Sequence, residues 1–226
     1  MKRYRLLLLP ILAGLAASAA GSAWAGAVRG TVNLPEDLKS GRRFVGHWRV
    51  ENTTVGVQAP PSRGDTVVLV VGPKGQTLAP KNTPVEIVGM QASPATIVVG
   101  EGAVVEFRNS DKVAHDLSVP GHADIMDPQR LGAGSVRKQR FGVAGEYLVR
   151  CKDYPHIAIS VIVTSSPFFA TADEKGGFKL LDVPDGPATL KVWSNGRWVY
   201  EGAIDVTPKG LDLNIKVAAP KDATEQ

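Results

Sequence analysis

The chain holds one cysteine among 226 residues, Cys151, and so can form no internal disulfide. An unpaired thiol in an oxidising compartment calls for burial, intermolecular pairing or metal ligation. No glycine-rich phosphate loop follows a predicted strand, and no serine sits in a Gly-x-Ser-x-Gly elbow. Acidic residues are scattered through turns without the spacing of a paired acid and base. No enzyme signature therefore competes. No clustered basic face suggests nucleic acid, and no amphipathic helical stretch follows residue 25.

The first 25 residues are of a different kind. Lys2, Arg3 and Arg5 precede a short apolar run from Leu6 to Leu12, which passes through small residues to Ala23-Trp24-Ala25. A basic head, an apolar core and a small-x-small site describe a secretory signal peptide. The run is too short and too rich in Ala, Ser and Gly for a membrane span. Cleavage is expected after Ala25, leaving Gly26 first, no membrane span in the mature protein, and a periplasmic or secreted location. With Lys2, Arg3 and Arg5 gone, the 26 Lys and Arg become 23 against 22 Asp and Glu, about +1.

Gly and Pro punctuate short Val- and Ile-rich runs, the mark of an all-β sandwich. Residues 26–82 read as an N-terminal β extension with strands at 27–34, 44–51, 66–71 and 85–88 leading into the next unit. The composition leaves two options open, a small domain of its own or extra strands on the following sandwich. Residues 83–164 are the most legible. In 103–109, Val105 and Phe107 face one way and Glu106 and Arg108 the other. Further strands are expected at 115–119, 136–141, 147–151 and 157–163, with a loop over 121–134. Residues 165–220 form a third unit containing Asn195-Gly196, a strong hairpin signal between Trp193 and Trp198. Residues 221–226 are a tail.

Strand parity puts Tyr147, Val149 and Cys151 on one face and Leu148 and Arg150 on the other. Because Arg150 carries charge, Cys151 is expected to point inward. The tight loop Lys152-Asp153-Tyr154-Pro155 then delivers His156 to the start of the next strand. A thiol and an imidazole thus occupy the two mouths of one loop at a sandwich end, and His115 opens an earlier strand after the turn Asn109-Ser110-Asp111.

The pattern Val99-Gly100-Glu101-Gly102-x-Val104-x-Glu106-Phe107-x-Asn109-x-Asp111-x-x-x-His115 resembles the first-histidine segment of the cupredoxins, the plastocyanin and azurin superfamily. Gly145-x-Tyr147-x-Val149-x-Cys151 with a following loop histidine resembles its second half. The resemblance covers roughly 85–164 and implies a Greek-key sandwich carrying one type 1 copper, with His115, Cys151 and His156 as ligands and a weak axial donor. Two positions depart from the pattern. Ile157-Ala158-Ile159-Ser160-Val161 offers no axial Met or Gln, leaving Met126 as a remote substitute. In a bacterial subgroup whose loop reads Cys-x-x-His-Pro-x-Met, gapless alignment puts Tyr154 on the histidine and Ile157 on the methionine. In that subgroup a carboxypeptidase-regulatory-like β-domain follows the cupredoxin. Residues 165–220 resemble this transthyretin-like unit through Phe168-Phe169-Ala170-Thr171, Asp182-Val183-Pro184 and Leu190-Lys191-Val192-Trp193.

Together these imply an exported copper protein, not an enzyme, acting in electron transfer or copper carriage with a periplasmic redox or copper-handling partner. The rival expectation is a metal-free cupredoxin scaffold that binds a protein or surface. His122 is expected as a solvated turn residue and His47 as structural. Asp116 is weighed as an acceptor for its neighbour His115, but alternation points it outward. Trp193 and Trp198 are expected to pack on each other or to form an exposed patch.

Overall fold

The computed structural model describes residues 25–35, 38, 66–72 and 76–218, and within them sixteen strands form four sheets. The chain is all-β. The expected strand at 44–51 with His47, the tail 221–226 and residues 1–24 lie outside the described residues. Among the described residues no helix is long and apolar enough to cross a membrane.

Strands β1 (Ala25–Asn33) and β2 (Val67–Val71) come first. Nine more form one sandwich: β3 (Thr83–Val88), β4 (Gln91–Ser93), β5 (Thr96–Val99), β6 (Ala103–Asn109), β7 (His115–Ser118), β8 (Gln129–Leu131), β9 (Val136–Phe141), β10 (Gly145–Cys151) and β11 (Ala158–Val163). Its sheets run β4-β3-β6-β9 and β5-β11-β10-β7-β8. The alternation read in 103–109 holds: Val105 and Phe107 are fully buried, while Glu106 and Arg108 face out and pair at 2.8 Å. Phe107, Phe141, Leu117, Ile87 and Ile159 fill the space between the sheets without exposure. Each such side chain contributes about 1.5–3 kcal/mol by leaving water.

A second sandwich packs β13 (Gly177–Pro184), β1 and β16 (Leu211–Lys216) against β12 (Phe169–Thr171), β2, β14 (Gly186–Ser194) and β15 (Arg197–Val206). Neither reading of residues 26–82 holds for their described strands β1 and β2. β1 is the middle strand between β13 and β16, and β2 the partner of both β12 and β14. The N-terminal strands therefore complete the C-terminal unit, and the nine-stranded sandwich is inserted between them. The physical cause is two-sided burial: Val68 and Val70 enter the core with Val28, Leu190 and Val192, while Val67 faces the other sandwich. A strand buried on both faces gains more as a central strand than at an edge.

Two linkers join the sandwiches side by side, Leu78 N–H donating to Ser165 O at 2.7 Å. Beside them, a Cβ on Gly100 would collide with the Leu78 carbonyl, so the linker seats only against glycine. Val67, Ile162 and Trp193 form the apolar seam between the units, flanked by Val98, Phe169 and Trp198. Trp193 and Trp198 are cross-strand partners in T-shaped contact at 5.1 Å, as expected for packing partners. The Asn195-Gly196 turn joins their strands with both residues at positive φ, 51° and 77°, the conformation a two-residue hairpin of this type requires.

Candidate metal centre

The site grows from Asn109, the last residue of β6. It is 2% exposed, and its side-chain amide donates to the carbonyls of Val113, Leu131 and Gly132 at 2.8–3.0 Å. Its carbonyl oxygen accepts the Asp111 N–H at 2.9 Å. This asparagine closes the 110–114 turn over the sandwich end and places Asp111 and His115.

Asp111 Oδ2 accepts from His115 Nε2 at 3.0 Å and from the Met90 N–H at 3.1 Å. Because a carboxylate can only accept, the His115 proton belongs on Nε2, and Nδ1 is left as a lone-pair donor. That nitrogen faces Cys151 Sγ at 3.9 Å. His115 is fully buried and Cys151 is 2% exposed. Cys151 points inward, as parity predicts, and pairs with Leu117 of β7 across the sheet. Its loop is tight: Cys151 N–H reaches Ile157 O, Lys152 N–H reaches Asp116 O, and Ile157 N–H reaches Tyr154 O.

His156 closes the same loop, two residues after Tyr154. Its ring hydrogen-bonds the Met90 backbone, and burial holds its imidazole below the ordinary histidine value, the Met90 bond opposing and the nearby His115 adding to the depression. Met90 itself sits at a φ of 64° in the turn joining β3 to β4, so one backbone unit serves both Asp111 and His156. Tyr154 packs edge-on against His115 at 5.4 Å and against His156 at 6.3 Å. Of the three predicted ligands, His115 Nδ1 and Cys151 Sγ stand 3.9 Å apart, and His156 lies near His115 against the same Tyr154 ring. Among the described residues no three His, Cys, Asp or Glu side chains gather as a metal site.

The pair passes a simple test for a shared ion. A 3.9 Å separation is shorter than a metal–sulfur plus a metal–nitrogen bond, about 4.3 Å together. Asp111 supplies the carboxylate that typically orients a ligating imidazole.

Asp111 is the residue that sequence reasoning misses, taking it only as part of a turn and weighing Asp116 as the acceptor. Asp116 forms no bond to His115, and its Oδ1 is buried without a hydrogen-bond partner. The available signal is local: asparagine two residues before an acid favours a side-chain-closed turn. Met126 is 1% exposed in the same apolar cluster as Cys151. His122 is exposed, as expected, with its ring 6.5 Å from Tyr147.

No protein-family model matches the chain, and no curated protein does. Several solved structures are similar over part of it. The reduced Cu(I) form, at pH 4, of a proline-to-glycine mutant of amicyanin is 19% identical over 36% of this chain and 80% of its own, with a TM-score of 0.33. The novel purple cupredoxin from Nitrosopumilus maritimus is 20% identical over 36% of this chain and 98% of its own, at 0.33. The Cu-containing nitrite reductase (NirK) from Thermus scotoductus SA-01 is 25% identical over 42% of this chain and 25% of its own, also at 0.33.

Proposed function

We propose that this protein holds one copper ion between Cys151 and His115 and serves in electron transfer or copper carriage outside the cytoplasm. The observation that carries the reading is the buried line Asp111–His115–Cys151, with Nδ1 presented to the sulfur at 3.9 Å. A soft thiolate and a borderline imidazole suit Cu(I), and copper would supply a one-electron couple. The chain's own residues do the rest. Asp111 holds the tautomer, the surrounding core excludes water, and the strands β7 and β10 keep the donor spacing fixed. The cupredoxin-like residue pattern and the signal-like N-terminus support the same reading. The second sandwich, with its carboxypeptidase-regulatory-like pattern, acts as a stabilising or docking module.

One observation favours a rival. Tyr154 stands against both imidazoles and His156 turns to the Met90 backbone, which suits a metal-free scaffold for protein or surface binding. Titration with Cu(II) and Cu(I), beside a Cys151→Ser variant, separates the two. An intense visible thiolate-to-copper band, or stoichiometric Cu(I) retention, that Cys151→Ser abolishes supports the carrier. Folded protein with a free thiol that takes up neither ion establishes the scaffold instead.

A further inference from the structure

Outside the buried pair, the sandwich end carries an open cleft of about 580 Å³ between the 110–114 turn, β8 and the loop after Cys151. That volume lies within the usual range for small organic ligands, about 300–1,000 Å³. Arg130 lines it from β8 and Lys152 from the loop after β10, and Tyr154 forms part of its wall. Both cations are exposed, and neither side chain has an ion pair or hydrogen bond among the described residues. Arg130 lies directly opposite Asp116 in the β7–β8 pair, yet no bond joins them, and Asp116 Oδ1 remains unsatisfied. The guanidinium is thus left to the cleft.

The walls narrow the ligand. Val113 is 40% exposed and, with Pro155, supplies an apolar surface. Asp153 also lines the cleft, so its ionic residues sum to about one positive charge. That balance suits a monoanion with an apolar body better than a phosphate dianion, which Asp153 would repel. A planar guanidinium matches a carboxylate in two parallel bonds.

We propose that this cleft binds a small organic carboxylate, gripped by Arg130 and Lys152 with its apolar body against Val113 and Tyr154. The site is separate from the buried Cys151–His115 pair and needs no metal.

The test is an NMR titration of the purified metal-free protein with benzoate, using benzamide as the uncharged isostere. Benzoate should give saturable shifts at Val113 and Tyr154 with millimolar affinity, and benzamide should bind about tenfold more weakly or not at all. Arg130→Gln should weaken benzoate about fivefold or more, Lys152→Gln about threefold, and raised salt should weaken it further. Both substitutions lie on the exposed surface, and unchanged amide spectra away from the cleft confirm the fold. Equal binding of benzamide, no saturable shift up to about 50 mM benzoate, or full affinity in both variants overturns the assignment.

Discussion

Replacing Asn109 by alanine should be costly, and the size of the loss follows from its hydrogen bonds. The side chain serves three carbonyls, of Val113, Leu131 and Gly132, and the Asp111 N–H, from a position 2% exposed. Two amide hydrogens shared by three acceptors, plus one accepted bond, amount to three full hydrogen bonds. At about 1–1.5 kcal/mol each, their loss comes to roughly 3–4.5 kcal/mol. Against a total stability of about 5–15 kcal/mol this is severe but survivable. With a urea slope of about 2 kcal/mol per molar, the unfolding midpoint should drop by about 2 M. Asn109→Asp should be no better, because it keeps the shape and the acceptor but turns the donor into a charge facing three carbonyls. The damage should reach the site: freed from Asn109, Asp111 no longer holds Nε2–H, and nitrogen NMR should show His115 as a tautomer mixture. A loss below about 1 kcal/mol with the His115 tautomer unchanged would refute the placement of Asn109 as the organiser of this turn.

Tyr154→His puts an imidazole where the phenol now packs against His115, and should tighten Cu(I) binding about tenfold or more in a competition assay with a chromophoric chelator; unchanged affinity removes Tyr154 from the ligand position. For His156 the folded-state value is depressed, mainly by burial, so as pH falls the unfolded chain takes up the proton first. Its contribution is full above about pH 6.5 and declines below it. The urea midpoint of metal-free protein should therefore fall more between about pH 7.5 and 5.5 than that of His156→Gln, and parallel curves sink the assignment. At the seam, the Trp193 indole N–H is buried without a partner whereas Trp198 donates to Glu146 at 2.6 Å. Trp193→Phe should thus be neutral or stabilising by about 1 kcal/mol and Trp198→Phe destabilising by about 1–3 kcal/mol in thermal unfolding; the same sign for both contradicts the two roles.

What could be read from sequence was whatever a single strand reveals about its own faces. The alternation in 103–109 was legible because one side meets the core and the other water, and Cys151 was placed inward by the charge on Arg150. Alternation names a face but not a partner. The N-terminal strands were accordingly recognised while their sheet was mistaken. One clue was present in Val67-Val68-Leu69-Val70-Val71: five apolar residues in a row signal burial on both faces, which an edge addition does not provide. β8, at Gln129–Leu131, lay hidden in an expected loop because a three-residue edge strand with two polar side chains carries no pattern. Of the site, His115 and Cys151 were visible through a resemblance. Asp111 was not, since its contact with His115 depends on how Asn109 folds the turn back. The loop register of Tyr154 and His156 was likewise undecidable, because a Cys-x-x-Tyr-Pro-His run offers two rings for one position and only packing chooses between them.

The insertion of one sandwich into the other explains why the cleft beside the buried pair is open to the outside. Both linkers leave the second sandwich from the strands that flank its seam, and the seam is built on the outward faces of β5 and β11 together with Glu146 at the start of β10. Cys151 ends that same strand, five residues on, and at about 3.3 Å per residue roughly 17 Å away. Glu146 tethers one end of β10 to Trp198 while the other end carries the thiol, so the second unit steadies the strand that positions the sulfur without covering the cleft above it. An arrangement with the linkers at the other end would have buried Tyr154 and Arg130 against a neighbour. With them where they are, the buried pair has a single aromatic side chain, Tyr154, in contact with both His115 and the cleft, and any partner or ligand that reaches His115 through the cleft must do so past that ring.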